Sequence, residues 1–242
     1  MKLVILDGNS IVNRAFYGIR NLNAPDGTPT NAIYGFLTIM ARLLEDYAPE
    51  AICVAFDTHA PTFRHKANAD YKATRKGMPE ELAVQMPILK DVLDHMGVRH
   101  YEKEGYEADD LLGTAGKICT EKGWECIVVT GDKDSLQLVT DRVSVCNVKT
   151  RMGQTEYILY TPEVFREEYG FDPPRMVDLK SLMGDSSDNI PGVPGIGEKT
   201  AKELLKTYGS LDAIYEENTL SGLKDSVKKK LEAGKESAYT SF

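Results

Sequence analysis

The sequence predicts an α/β fold, a mostly parallel sheet with helices on both faces, followed by an all-helical region. Three observations predict it. Short β-branched runs alternate with helix-period segments up to residue 160, and strands separated by helices imply parallel pairing. The strand signal disappears after Thr161-Pro162. Carboxylates recur directly after the strand runs, on the edge where open parallel sheets bind ligands.

Leu3-Val4-Ile5-Leu6 reads as the first strand, closed at once by Asp7. The run is too short for a signal peptide or a membrane span, so a soluble, cytoplasmic protein is expected. Asn31–Tyr47 repeats apolar residues at Ile33, Phe36, Leu37, Met40, Leu43 and Leu44, the spacing of a helix. Ala51–Phe56 is the next strand. Glu81–Met96 reads as one helix through Leu82, Met86, Leu89, Val92, Leu93 and Met96, kinked at Pro87. Val98–Tyr101 is a short strand, and Glu107–Glu121 a helix with Leu111, Leu112, Ala115, Ile118 and Cys119 on one stripe. Cys126–Thr130, Val143–Val148 and Thr155–Tyr160 are further strands, the last at an edge. Thr161-Pro162 is a good helix start, and short helices joined by Gly, Pro and Asp turns follow Pro173. The expected division is an α/β domain over residues 1–175 and a helical region over 176–242.

Cys53, Cys119, Cys126 and Cys146 include no C-x-x-C pair, and the four histidines have no ligand spacing. Buried thiols are expected rather than zinc or disulfides. The 29 basic and 37 acidic residues give a net charge of −8, which by itself argues against a nucleic-acid partner. Distribution matters more than the sum. Setting aside nine acids assigned below to one site leaves 28 acids against 29 bases. Residues 62–76 carry Arg64, Lys66, Lys72, Arg75 and Lys76 against only Asp70, and two more basic sets lie at Lys199, Lys202 and Lys206 and at Lys224, Lys228, Lys229 and Lys230.

Asp7 follows the first strand and Asp57 the second. Asp132 and Asp134 follow Cys126–Thr130, and Glu107, Asp109 and Asp110 open the helix after Val98–Tyr101. Taken singly, each acid is as well explained as a turn former or a helix cap. Together they occupy one rim. Two unit charges ~4 Å apart repel by about 4 kcal/mol at an effective dielectric near 20, so seven acids at one rim need cations. An all-oxygen set suits Mg²⁺ or Mn²⁺, and two such ions suit an in-line phosphoryl displacement. Asp185 and Asp188 lie in the loop Met183-Gly-Asp-Ser-Ser-Asp-Asn-Ile-Pro-Gly192. They read either as an Asx-turn network or, preferably, as two more ligands.

Gly192-Val-Pro-Gly-Ile-Gly-Glu-Lys-Thr-Ala201 invites comparison with a phosphate-binding P-loop, but Glu198 stands where lysine is needed and no strand precedes it. The segment fits a helix-hairpin-helix over about residues 183–208. Gly192, Gly195 and Gly197 allow close backbone approach, and amides opening a helix at Glu198, with Lys199 and Thr200, would hold a DNA phosphate without reading sequence.

Leu6-Asp-Gly-Asn-Ser10, Val54-Ala-Phe-Asp57, Tyr71-Lys-Ala-Thr-Arg75, Gly105-Tyr-Glu-Ala-Asp-Asp110, Thr130-Gly-Asp-Lys-Asp-Ser135 and Gly184–Thr200 together resemble the 5′ nuclease (flap endonuclease) superfamily, above all the amino-terminal 5′→3′ exonuclease domain of bacterial DNA polymerase I. The resemblance runs in order from residue 6 to residue 208. It implies a PIN-like or resolvase-like sheet, and a helical arch within about residues 62–90. It implies that Asp7, Asp57, Glu107, Asp109, Asp110, Asp132, Asp134, Asp185 and Asp188 hold two or more Mg²⁺ ions. Lys72 and Arg75 would clamp the scissile phosphate and share the catalytic work with Asp7, Asp57, Asp109, Asp132 and Asp134. Tyr71 would stack on the adjacent base, and the hairpin would grip duplex with a K⁺ ion. The stretch around Asn13, Arg14 and Phe16 would meet bent DNA at the junction.

The implied partners are branched, flapped or nicked DNA and a fused or associated polymerase, for a monomer associated with a bacterial nucleoid. Family domains continue beyond residue 242, so truncation at the carboxyl end is expected. Two rival readings stand beside this one. A PIN-type ribonuclease shares the sheet and acids but generally lacks the glycine hairpin. A non-catalytic DNA-junction module would use the acids only as caps.

Overall fold

The computed structural model describes residues 1–242 apart from 59, 68, 69, 74–76, 152 and 153. It divides into two compact units, residues 1–63 with 77–161 and residues 64–76 with 162–242.

In the first unit, β1 (Lys2–Asp7) leads into α1 (Gly8–Gly18), then α2 (Asn31–Tyr47) and β2 (Ala51–Ala55). The 63–67 helix α3 (Phe63–Ala67) begins in this unit, and α4 (Glu80–Ala83), α5 (Gln85–His95), β3 (Arg99–Tyr101), α6 (Ala108–Glu121) and β4 (Glu125–Thr130) follow. A 3-10 turn over Asp134–Leu138 precedes the hairpin of β5 (Val143–Arg151) and β6 (Gln154–Tyr160). The strands form one sheet in the order β3-β2-β1-β4-β5-β6. All neighbours pair in parallel except β5 with β6, which are antiparallel, so the last strand is indeed an edge.

Alternation along the parallel strands covers both faces, as buried parallel sheets require. Val4, Leu6, Val54, Phe56, Ile127 and Val129 join one core with Ile11 and Val12 of α1, Phe36, Met40 and Leu43 of α2, and Leu89 and Leu93 of α5. The other face is met by α6, which packs on β1, β2, β4 and β5. Its Gly116 leaves room for Val143, which would stand 3.3 Å from an added methyl. All four cysteines are buried and free.

The structure adds one element to the sequence reading and corrects another. The segment after Asp7 is a helix, with Asp7 accepting a hydrogen bond from the Ser10 N–H as its N-cap and Ile11, Val12 and Ala15 buried. Glu81–Met96 is not one helix bent at Pro87. It is α4 and α5, divided at Val84. Proline has no N–H and its ring clashes with the carbonyl four residues back, here Ala83. The break therefore falls before Pro87, which sits in the first turn of α5.

The second unit contains α7 (Pro162–Tyr169), a 3-10 turn at Pro173–Arg175, α8 (Met176–Met183), α9 (Glu198–Tyr208), α10 (Leu211–Ile214), α11 (Glu217–Gly222), α12 (Asp225–Ala233) and α13 (Lys235–Thr240). Its core includes Phe165, Leu179, Leu182, Ala201, Leu205, Ile214 and Leu231. Asp178, 3% exposed, accepts from the Leu211 N–H at 2.6 Å and ties α8 to the start of α10. Among the described residues, no helix is long and apolar enough to cross a membrane.

Candidate active site

The strand order reverses at β1 and β4: β2 and β3 lie to one side, β5 and β6 to the other. Such a switch point leaves a crevice beyond the carboxyl ends of the two central strands. Register aligns Asp7 with Ala55, Ala55 with Tyr101, and Leu6 with Val129. Asp7, Asp57, the start of α6 and the Thr130–Asp134 loop are therefore carried on one edge.

Asp7 is the deepest of these acids, 6% exposed. One carboxylate oxygen accepts from the Ser10 N–H at 3.0 Å and the other from the Thr130 hydroxyl at 2.7 Å. Burial pushes the Asp7 carboxyl up to about 6; these two hydrogen bonds oppose the rise, and the like charges of Asp57 and Asp132 add to it. Asp57 and Asp132, from two other segments, thus act on Asp7 through space.

The remaining acids are positioned by short hydrogen bonds. Asp57 accepts from the Ala108 N–H at 2.7 Å, joining the end of β2 to the first residue of α6. Its own N–H donates to the Asn9 side-chain oxygen at 3.1 Å. Glu107 and Asp110 form a reciprocal capping box at the start of α6, the Glu107 N–H donating to Asp110 at 2.9 Å. The Ser135 hydroxyl donates to Asp109 at 3.4 Å. The Asp132 N–H donates to the Thr130 hydroxyl oxygen at 3.0 Å, and the Asp134 N–H to Asp132 at 2.9 Å. The Gly131 N–H donates to the Ser10 hydroxyl oxygen at 2.9 Å. A methyl on Gly131 would fall 2.4 Å from the Arg14 guanidinium, so Arg14 lies against the same loop.

Asn9, Ser10, Thr130 and Ser135 thus orient the acids, a role the sequence did not reveal. They stand inside the motif segments, and adjacency to Asp7 and Asp134 is the only signal that could have marked them. Thr130→Val should show their weight. It keeps the side chain's shape but removes the donor to Asp7 and the acceptor for Asp132, and is expected to cost about 1–3 kcal/mol, read by thermal melting with and without Mn²⁺. Unchanged stability and cleavage would remove Thr130 from the site.

The residues fit a divalent cation in chemistry: every candidate donor is a carboxylate oxygen, and Asp57 and Asp132 both disfavour the charged form of Asp7. Among the described residues, no three His, Cys, Asp or Glu side chains stand ready as an ion-holding group. Protein donors, instead, take up oxygens of Asp7, Asp57, Asp110 and Asp132.

In the second unit, Asp185 is drawn to the Lys180 ammonium and accepts from the Ser187 N–H at 2.8 Å and hydroxyl at 2.6 Å. Burial alone would raise its pKa, but Lys180 and Ser187 outweigh burial and hold it at about 2. The Tyr71 hydroxyl donates to Asp188 at 3.4 Å, and the Lys72 N–H donates to the Asp188 carbonyl at 3.1 Å. The Asn189 side chain donates to the Asp70 carbonyl at 2.8 Å. The 70–72 turn is fastened to the 188–189 loop by these bonds, with the Lys72 ammonium 4.9 Å from the Tyr71 ring centre. Arg75 lies outside the described residues.

In the glycine hairpin, the buried Val193 and Ile196 anchor the loop, and Gly197 caps α9. The Gly192 N–H is used internally, donating to the Ser241 hydroxyl oxygen at 3.3 Å, while Lys230 donates to the Gly195 carbonyl at 3.1 Å. Gly197 and Lys199 are exposed and Thr200 is half-buried in the first turn of α9.

A resolvase-like acid-rimmed sheet in one segment and a glycine-hairpin helical fold in the next define a class. Residues 2–170 match the family described as the 5′-3′ exonuclease N-terminal resolvase-like domain, and residues 171–242 match the 5′-3′ exonuclease C-terminal SAM fold. The chain belongs to the 5′-3′ exonuclease family.

Its curated relatives include DNA polymerase I of Bacillus subtilis, 47% identical over 99% of this chain and 27% of the relative. DNA polymerase I of Caldicellulosiruptor bescii is 44% identical over 100% of the chain and 28% of the relative. The chain thus spans little more than a quarter of the length of these relatives. In fold, it is similar to bacteriophage T5 5′-exonuclease with bound divalent ions, with a TM-score of 0.78, 24% identity and coverage of 100% of this chain and 88% of that one. It also resembles the T5 D15 flap endonuclease complexed with DNA and metal ions, with a TM-score of 0.76, 24% identity and coverage of 100% and 87%.

Proposed function

We propose that the chain is a structure-specific 5′→3′ exonuclease and flap endonuclease that hydrolyses DNA phosphodiester bonds in primer removal and repair. The observation that carries this reading is the convergence of Asp7, Asp57 and the Thr130–Asp134 loop on one sheet edge at the switch point, where Asp57 and Asp132 both add to the rise in the Asp7 pKa. A mere set of helix caps would not need acids at or beyond the ends of β1, β2 and β4 to gather on one edge. Asp7, Asp57, Glu107, Asp109, Asp110, Asp132 and Asp134 are assigned to hold two or more Mg²⁺ ions, for which Mn²⁺ substitutes. The same role is proposed for Asp185 and Asp188. Bound ions would supply Lewis acidity for water attack and for departure of the 3′ oxygen.

The chain's own residues do the rest. Thr130, Ser10 and the Ala108 N–H orient the acids. Lys72 and Arg75 are assigned to the phosphoryl oxygens, where fixed positive charge stabilises the developing negative charge. Tyr71 is assigned to an adjacent base, and Arg14 to bent DNA at the junction. Gly192, Gly195, Gly197, Lys199 and Thr200 are assigned to the duplex backbone, with K⁺ at the hairpin. A fused polymerase is the proposed partner, in a cytoplasmic monomer.

The decisive assay is cleavage of a 5′-flapped duplex in Mg²⁺ with and without EDTA. Expected are a 5′-phosphate and a 3′-hydroxyl in Mg²⁺ only. Cleavage of RNA flaps but not matched DNA flaps would favour a ribonuclease, and binding without cleavage a junction module. Lys199→Ala should weaken duplex binding equally for all sequences and make the salt dependence shallower by about one ion. An unchanged slope in a salt titration of the binding constant would remove Lys199 from the DNA footprint.

A further inference from the structure

Among the exposed aromatic side chains of the first unit are Phe63, at 48%, and Tyr106, at 47% exposure. They come from distant points in the chain yet touch, edge to face, with ring centres 5.8 Å apart at 61°. Their backbones hold them there. The Phe63 N–H donates to the Gly105 carbonyl at 3.0 Å, and the Tyr106 N–H donates to the Lys103 carbonyl at 3.1 Å. Gly105 has φ +83, a conformation that glycine adopts without strain, and it sets the turn that presents Tyr106.

The next residue is Glu107, the N-cap of α6 at 7% exposure. Ala108, after it, donates to Asp57. Tyr106 is therefore one residue from one candidate ligand and two from the contact of another, and Phe63 packs on Tyr106. Neither ring joins the main core cluster. Paired rings on a hydrogen-bonded backbone, about half exposed to water, offer a stacking platform for another flat apolar surface.

We propose that Phe63 and Tyr106 form a stacking platform for an unpaired nucleobase next to the scissile phosphate, and so help select single-stranded flaps. This rests on the nuclease reading above. Stacking is indifferent to base identity because every base has a π face, which suits an enzyme that recognises structure rather than sequence. The pair acts as a positioning element: it fixes the nucleotide beside the acids and takes no part in proton transfer.

The test compares Tyr106→Leu, Phe63→Leu, Tyr106→Phe and the wild type on two flapped duplexes, one with normal bases and one with tetrahydrofuran abasic residues flanking the cleavage point. On normal bases, each leucine variant is expected to raise KM about tenfold, with the loss carried by KM rather than kcat and restored by Tyr106→Phe. On the abasic flap, wild type and leucine variants should converge. Equal effects on both substrates, or none on either, would overturn the platform.

A second readout does not need cleavage. With Ca²⁺ present, 2-aminopurine at the flanking position should be quenched on binding to the wild type and to Tyr106→Phe, but not to Tyr106→Leu. Undiminished quenching in Tyr106→Leu, with melting temperatures matched, also overturns it. If the wild type quenches 2-aminopurine yet cuts no flap in Mg²⁺, the nuclease reading fails while the stacking site stands.

Discussion

Asp7→Asn is expected to lower flap cleavage by about 10³-fold while making the metal-free protein more stable. The two effects share one cause. The folded state holds the Asp7 carboxyl at about 6, against an ordinary value of 3.8, chiefly through burial and then through Asp57 and Asp132. A folded pKa raised above the unfolded one means that the folded state binds the extra proton. The charged form is therefore a burden, absent below about pH 4, growing between about 4 and 6, and complete above about 6. A shift of this size corresponds to roughly 3 kcal/mol. Asparagine removes the charge and still accepts from Ser10. Melting in EDTA across this window should show the variant gaining on the wild type as pH rises. Mn²⁺ should then stabilise the wild type more than the variant. A parallel pair of melting curves at all pH values would refute the electrostatic account of the rim.

The second large effect lies in the glycine hairpin. Gly192 has φ +59, and a methyl there would stand 2.1 Å from the Gly184 nitrogen, 2.6 Å from the Gly184 Cα and 2.7 Å from the Met183 carbonyl carbon. All three are backbone atoms, so no flexible side chain can yield. Gly192→Ala should cost more than about 4 kcal/mol, seen as early melting and a loss of duplex binding. Gly197 is the control. Its φ is −96, and an added methyl meets nothing within 4 Å. Gly197→Ala should cost no more than about 1 kcal/mol but should still weaken DNA binding, because the methyl occupies the approach to the first amides of α9. Equal melting points for the two variants would contradict this assignment of roles.

Much of this was legible in the residues. Asn31–Tyr47 is a helix with the bounds its periodicity suggests, because seventeen residues of regular spacing outweigh any single exception. The acids sit at strand ends because Asp cannot continue an apolar strand into the core, and a parallel sheet collects such ends on one rim. The helix Gly8–Gly18 was not legible: its opening Gly-Asn-Ser is turn-forming chemistry, and only packing of Ile11 and Val12 beneath the sheet makes it helical. Nor was the division at Val84, where proline's effect falls on the preceding turn.

The sequence by itself determined the order of the strands and of the longest helices, the sheet edge that gathers the acids, and the glycines of the hairpin. All of these follow from spacing along the chain. Tertiary structure alone decided that Thr130 holds Asp7, that Ala108 holds Asp57, that Gly184 and Gly192 stand back to back, and that Phe63 meets Tyr106. All but the glycine pair join residues far apart in the chain, and a hydrogen bond or a close contact is specified only once folding has brought its two partners within a few ångströms.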